Sequence, residues 1–244
     1  GAAATNMRGL NPDCQMTPII EPLTPDNIAT YASDVDLVLD CADSFAVSYS
    51  LSDYCLNRLP LIHASVVGTA GYVGGFCYNA PSLRAVFPDL PERFGSCAED
   101  GVLGPIVGII GSLQAQMTLA VITKQFSSPL GQLVTYDAIE NRFGGFRFDG
   151  AEEPDASLAF ISPQQIKSSD LVIDLRAANE ADLITADAQR LGFDQITPDL
   201  PLKGVGHVVF CCRSGQRAWA AAEKLSRFWS GSISLIAAGD PNFM

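Results

Sequence analysis

The chain has 244 residues, 48% of them apolar, and a formal net charge of −12. That is enough apolar content to build one large domain or two smaller ones. The acidic balance excludes the basic stripe of a nucleic-acid binder and offers little attraction to an anionic membrane surface. Seven cysteines without regular spacing do not make a disulfide framework. With no charged and apolar leader pattern at the start, they read as reduced thiols, and the expected location is cytoplasmic.

In chain order, "LTPDNIATYAS" predicts a helix with Thr24 as N-cap and Pro25 at the first helical position. "VDLVLDCAD" is a short apolar run ending in acids, as parallel strands do. "SFAVSYSLSDYCLNR" resumes helical spacing and "LPLIHASVVG" is the next strand, a βαβ pattern that implies a parallel sheet with right-handed crossovers. Ligands of such sheets sit beyond the carboxyl ends of the strands, which places Asp40 and Asp43 where a ligand or its metal would be. "YVGGFCYN" and "GQLVTYDAI" are two more strands. The glycines of "GTAGYVGG" read as close backbone approach or bulges.

Between those strands, "VLGPIVGIIGSLQAQMTLAVI" carries no charge over about the length a bilayer needs. Pro105, Gln114 and Gln116 favour a core helix, buried all round, over a membrane span. A long loop rich in Pro and acids, residues 79–101, leads into it. "FDGAEEPDAS" reads as a linker with Glu152, Glu153 and Asp155 in solvent. A fresh βα pattern follows in "ISPQQIKSS", "LVIDLR", "HVVFCC", "QRAWAAAEKLSRF" and "SISLIAA". The expected organisation is a first domain over 1–148, a linker over 149–157 and a smaller α/β domain over 158–244.

In the second domain "CRSGQR" is the turn between a strand and a helix. Backbone N–H groups, the helix dipole and Arg217 favour negative charge there and the thiolate of Cys212. The turn, with "ISPQQIKSSDLVIDLR" upstream, resembles the rhodanese family. Four residues between Cys212 and Arg217 suit a single sulfur, whereas related phosphatase loops carry five. The resemblance implies that Cys212 carries a persulfide inside a loop of Arg213, Ser214, Gly215, Gln216 and Arg217. Between Asp182 and Pro201 the family's Gly-His-Ile segment is replaced.

"DLVLDCADSFAVS", "LPLIHASVVGTAGYVGGF", "FGSCAEDGVLGPIVGIIGSLQAQ" and "GQLVTYDA" occur in order. In these pieces the first domain resembles the ThiF/MoeB/HesA family, relatives of ubiquitin-activating enzymes. The implied fold class is α/β, a Rossmann-like, mostly parallel sheet without its first nucleotide-binding βαβ, plus the smaller rhodanese-like domain. The implied activity is adenylation of the C-terminal Gly-Gly of a ubiquitin-like sulfur carrier of the ThiS/MoaD type, followed by sulfur transfer to it. Molybdopterin, thiamine, cysteine and tRNA sulfur chemistry are the pathways such an enzyme serves. The implied cofactors are ATP and magnesium, with Asp43 engaging them. Cys97 is the implied mobile-loop cysteine, able to attack an acyl adenylate or an intermediate disulfide. Implied partners are the carrier, a persulfide donor such as a cysteine desulfurase, and a second copy in a homodimer.

The sequence departs from the family pattern in several places. No Gly-rich phosphate loop precedes a helix, so the expectation is that this half lies upstream or on another chain, or that the molecule does not bind ATP alone. Ala42 and Ser44 flank Asp43 in place of Thr and Asn, and Ser48 stands in place of an arginine. Ser82 to Ala85 stand where the first CxxC of the family zinc site would be, so no zinc and no other resident metal is expected. Three readings stay open: the full activating and sulfur-transferring enzyme, a sulfurtransferase whose first domain only binds the carrier, and a docking subunit. His63 and His207 read as a satisfied core histidine and a solvent-edge residue. Cys14, Cys41, Cys55 and Cys77 read as small hydrophobes, Cys211 as core facing away from Cys212, and Trp219 and Trp229 as packing residues.

Overall fold

The computed structural model describes residues 2–89 and 101–239; Cys97 lies outside them. Among the described residues the strands form two five-stranded sheets, ordered β1-β2-β3-β4-β5 and β6-β10-β9-β7-β8. The first contains β1 (Val38–Asp40), β2 (Leu61–Val67), β3 (Ala70–Phe76), β4 (Gln132–Asp137) and β5 (Arg142–Arg147). The second contains β6 (Ala159–Phe160), β7 (Leu171–Asp174), β8 (Gln189–Arg190), β9 (His207–Cys212) and β10 (Ser232–Ala237).

The α/β class is the one expected, and the second sheet is wholly parallel. In the first sheet β1 and β2 are parallel, because α3 (Phe45–Cys55) carries the chain back between them. From β2 onward the pairs are antiparallel: short turns, which can join only antiparallel neighbours, link β2 to β3 and β4 to β5, whereas the connection from β3 to β4 includes the helix at Gly104–Thr123. Gly68, at φ +57, opens the β2–β3 turn. Gly75 is the close backbone approach the sequence predicts: a Cβ there would lie 2.6 Å from the carbonyl oxygen of Pro129. β5 escapes sequence reading because its "RFGGFR" face is exposed along its length.

The first helix after α1 (Ala2–Leu10) starts later than expected. α2 spans Ile28–Ala32 with Asn27 at its N-cap position, and Asn27 spends its side-chain oxygen on the Thr24 N–H, 2.8 Å away. Thr24 therefore belongs to the preceding turn. "ISPQQIKSS" forms only a short 3₁₀ turn at Pro163–Gln165.

The apolar helix α5 (Gly104–Thr123) starts with Pro105 in its first turn and ends at Lys124, which takes a left-handed backbone. It is not buried all round. Ile106, Ile110, Gln114, Met117 and Ala120 face the first sheet, while Val107, Leu119 and Ile122 are exposed. The helix wrapped on both sides is α3. Its Leu51 and Cys55 join the first-sheet core with Leu61 and Phe76. Its Ala46 and Tyr49 join the second-sheet core with Phe160, Phe210, Trp219 and Leu235.

Arg84, in the short helix α4 (Leu83–Val86), fastens this junction. Its guanidinium donates to both carboxylate oxygens of Asp53, at 2.6 and 2.8 Å, and to the carbonyl of Leu158, at 2.9 Å. It also lies 5.0 Å from the centre of the Tyr49 ring and 5.6 Å from that of Trp219. Glu153 is exposed, as the linker reading expects, and is also a further fastening. It accepts from the N–H of Ser82 at 2.7 Å and from its hydroxyl at 2.5 Å.

Candidate functional site

Along β9 the side chains alternate between two cores, as strand geometry demands. Val208, Phe210 and Cys212 face α6 (Gln216–Ser226), and Val209 and Cys211 face the opposite cluster. Burial pushes the Cys211 thiol up to about 12, as the reading of Cys211 as core predicts. Cys212, the last residue of β9, sits at the mouth of the turn into α6. Its sulfur accepts the Gly215 N–H at 3.1 Å and the Ala218 N–H at 3.4 Å. These are donors that a helix N-terminus leaves unpaired, so the turn directs two backbone N–H groups at the Cys212 sulfur.

The rest of the loop falls into two groups. Arg213 and Ser214 are exposed; the Arg213 carbonyl accepts from Gly239 at 2.9 Å and the Ser214 hydroxyl from the Gln216 N–H at 3.4 Å. Gln216 and Arg217 lie in the first turn of α6, which begins two residues before the predicted Ala218. Gly215 is buried in a left-handed conformation at φ +86, where a Cβ would come within 2.7 Å of the Phe160 ring and 3.2 Å of the Phe45 ring. Gly215→Ala is therefore expected to cost about 1–3 kcal/mol, from left-handed strain plus overpacking. Urea unfolding checks this, and an unchanged midpoint would refute it.

Glu180 escaped sequence reading. It grips Arg217 through both carboxylate oxygens, at 2.7 and 3.0 Å, while Arg217 also donates to the Leu175 carbonyl at 2.9 Å. The guanidinium, and then the Ala177 N–H, hold the Glu180 carboxyl down at about 2. The Glu180 bond in turn raises Arg217. The only sequence signal is an acid four residues after the Asp-x-Arg of β7. That motif is itself structural: Arg176 donates to both carboxylate oxygens of buried Asp174, at 3.0 and 2.7 Å, and to the Asp182 carbonyl at 2.9 Å.

At the carboxyl end of β1, the two acids have separate fates. Asp40 is buried. It accepts the Ala42 N–H at 3.0 Å and pairs with Nδ1 of His63 at 2.7 Å, while Nε2 of His63 meets the Tyr72 hydroxyl at 3.0 Å. Burial pushes the Asp40 carboxyl up, but His63 and the other donors outweigh it and the net shift is downward. Asp40 is thus committed to shaping the turn and is not open to a ligand. His63 is a satisfied core histidine, and His207 is pinned between Asp170 and Ser234 at 3.1 and 3.0 Å. Asp43 is exposed at the lip, just before α3. Cys41 and Cys14 are exposed as well, not small core hydrophobes, whereas Cys55 and Cys77 are buried.

The two loops meet through Phe45, two residues beyond Asp43. Its ring centre is 5.7 Å from Phe160 and 6.4 Å from Trp219, against the buried face of Gly215. The turn at Asp43 and the cradle of Cys212 are thereby neighbours across one aromatic cluster.

The ThiF family model matches residues 1–158. The chain belongs to the ThiF family. It is 31% identical over 145 residues to the SAMP-activating enzyme E1 of Haloferax volcanii, covering 58% of this chain and 54% of that protein. It is 34% identical over 153 residues to the adenylyltransferase and sulfurtransferase MOCS3 of Xenopus laevis, covering 61% of this chain and 34% of the relative. The chain thus spans about half of one curated ThiF relative and a third of the other. Among solved structures, Escherichia coli MccB with AMPCPP and MccA superposes with a TM-score of 0.51 at 16% identity, over 64% of this chain and 49% of that one. That likeness establishes a shared fold.

Proposed function

We propose that this ThiF-family chain activates the C-terminal carboxylate of a ubiquitin-like sulfur carrier and delivers sulfur to it through a persulfide on Cys212. The observation that carries the proposal is the pair of N–H bonds, from Gly215 and Ala218, aimed at the Cys212 sulfur beside Arg217. Family membership and the adenylyltransferase and sulfurtransferase names of its relatives support the carrier-activating half. In this reading the second sheet is a rhodanese-like domain, and a persulfide donor such as a cysteine desulfurase loads it.

ATP is the proposed co-substrate: attack of the carrier carboxylate on its α-phosphorus would expel pyrophosphate and give an acyl adenylate, a mixed anhydride with AMP as a good leaving group. The exposed carboxylate of Asp43, at the carboxyl end of β1, fits magnesium, which is commonly held by one or two carboxylates and the substrate phosphates. Among the described residues no glycine-rich turn follows β1 to cradle those phosphates, and no group of three or more His, Cys, Asp or Glu side chains gathers to hold a metal ion, so the residues present offer magnesium one carboxylate and do not make a complete nucleotide site.

Loading transfers one sulfur atom. The Cys212 thiolate attacks the outer sulfur of the donor persulfide, a new S–S bond forms as the old one breaks, and the donor leaves as a thiolate. The terminal sulfur of the Cys212 persulfide then attacks the activated carrier carbonyl and AMP departs. Thiolate attack on the Cys212 sulfur of the resulting acyl disulfide releases the thiocarboxylate. The attacking thiolate, for which Cys97 is the candidate, is left in a disulfide with Cys212 that an external thiol must reduce. The N–H pair meets the Cys212 sulfur in its thiolate form, the form that attacks the donor in the loading step.

Intact mass after incubation with thiosulfate tests the loading step. The wild type is expected to gain one sulfur atom, lost on treatment with dithiothreitol, and Cys212→Ser to gain none. Equal loading of both proteins would remove Cys212 from the reaction.

A further inference from the structure

The cradle of Cys212 is closed. Cys212 is 0% exposed, although a thiol that takes sulfur from a second protein must meet that donor in line. Part of the cover comes from the second sheet itself, in Phe160. α3, which belongs to the ThiF-family part of the chain, reaches the same loop through Phe45. The Phe45 ring packs on the Cys212 cluster and would touch a Cβ on Gly215, the residue whose N–H holds the Cys212 sulfur.

The two ends of α3 are held unequally. Towards its carboxyl end, Asp53 is clamped by Arg84, and one turn in from the amino end Tyr49 donates its hydroxyl to the Phe87 carbonyl at 2.6 Å. At the amino end, Ser44 occupies the N-cap position but makes no side-chain cap bond, a contribution worth about 1 kcal/mol in other helices. The first turn is held instead by the packing of Phe45 and Ala46 and by a hydrogen bond between Ser48 and Asp40 at the end of β1, contacts separate from the Arg84 junction, so that this turn can open locally while the junction stays assembled. Asp43 sits on that same turn, exposed to whatever binds at the carboxyl end of β1.

We infer that Phe45 is a gate on the Cys212 loop: its ring closes the cradle in the state described, and displacement of the first turn of α3 from the Asp43 side opens it. The thiol is then shielded from adventitious oxidants and acceptors until the neighbouring turn is engaged. The use made of the gate rests on the sulfur-transfer reading of Cys212, but the gate itself does not.

Alkylation with iodoacetamide, read residue by residue by mass spectrometry, separates the two. In the wild type, Cys212 is expected to react far more slowly than exposed Cys14. In Phe45→Ala its rate is expected to rise about tenfold or more through local opening, while Cys55, buried in the first-sheet core, stays protected. Phe45→Leu, which keeps an apolar contact, gives an intermediate rise and guards against a misfolded alanine variant. The gate is refuted if wild-type Cys212 reacts as fast as Cys14, if neither variant accelerates it, or if Cys55 accelerates in step with it. Thiosulfate loading is therefore read in Phe45→Ala as well, where the cradle is open: no sulfur gained there, together with a positive alkylation result, would sink the sulfur reading and leave the gate standing.

Discussion

Asp174→Asn is expected to destabilise the chain by about 3–5 kcal/mol, the range for removing one partner of a buried ion pair. Asp174 is 0% exposed and accepts from the Nε, Nη2 and backbone N–H of Arg176 and from the Ile184 N–H, at 2.7 to 3.0 Å. Asparagine keeps the shape but turns an NH₂ group toward a guanidinium and leaves the Arg176 charge uncompensated in the interior. Burial alone would push the Asp174 carboxyl up. The Arg176 side chain and the backbone donors outweigh it and the net shift is downward. A depressed carboxyl contributes stability that is present above its unfolded value, about 3.9, and is lost as pH falls through the lower folded value. Urea titrations at several pH values should therefore show the wild type losing stability in that acid window, with Asp174→Asn starting lower and falling less steeply. A variant within 1 kcal/mol of wild type near pH 7 would mean that the pair contributes little.

Arg84→Ala should cost about 3 kcal/mol, at the lower end of the same range. Arg84 is 5% exposed, whereas the Asp53 side chain is 38% exposed and recovers water once its partner is gone. Most of the loss comes from elsewhere. The Leu158 carbonyl loses a donor and the Tyr49 and Trp219 rings lose a cation lying against both, a contact worth about 0.5–2 kcal/mol. Lysine at this position keeps the charge but not the planar fork, so Arg84→Lys should recover only part. Trp219 lies in the contact, so its fluorescence should report unfolding of the junction. If alanine leaves the midpoint unchanged, the clamp is not what holds α3 between the sheets.

The parts of the fold legible in the sequence are those set by short-range rules. Alternation along "HVVFCC" separates Cys211 from Cys212, and the Cys-to-Arg turn before an alanine-rich helix locates the cradle. The β2–β3 turn is announced by glycine. Glu153, Glu180 and Asp40 were misread or missed because their partners lie far away in sequence or across a sheet: Ser82, Arg217 and His63. No local pattern tells an acid in solvent from one that clamps a guanidinium. α5 misled in the opposite sense, since its uniform apolar composition has no polar side to show which face would stay open. β6 and β8, at two residues each, are too short to carry any period.

The double burial of α3 bears on how the chain is made. Ala46 and Tyr49 leave the ribosome before the side chains that cover them, Phe160, Phe210 and Trp219, have been added. Through that interval the nascent first sheet displays an aromatic surface with nothing on it. Domains generally fold as units while translation continues, but here the earlier unit cannot finish alone. The waiting surface is where a chaperone would bind and where premature release would favour aggregation.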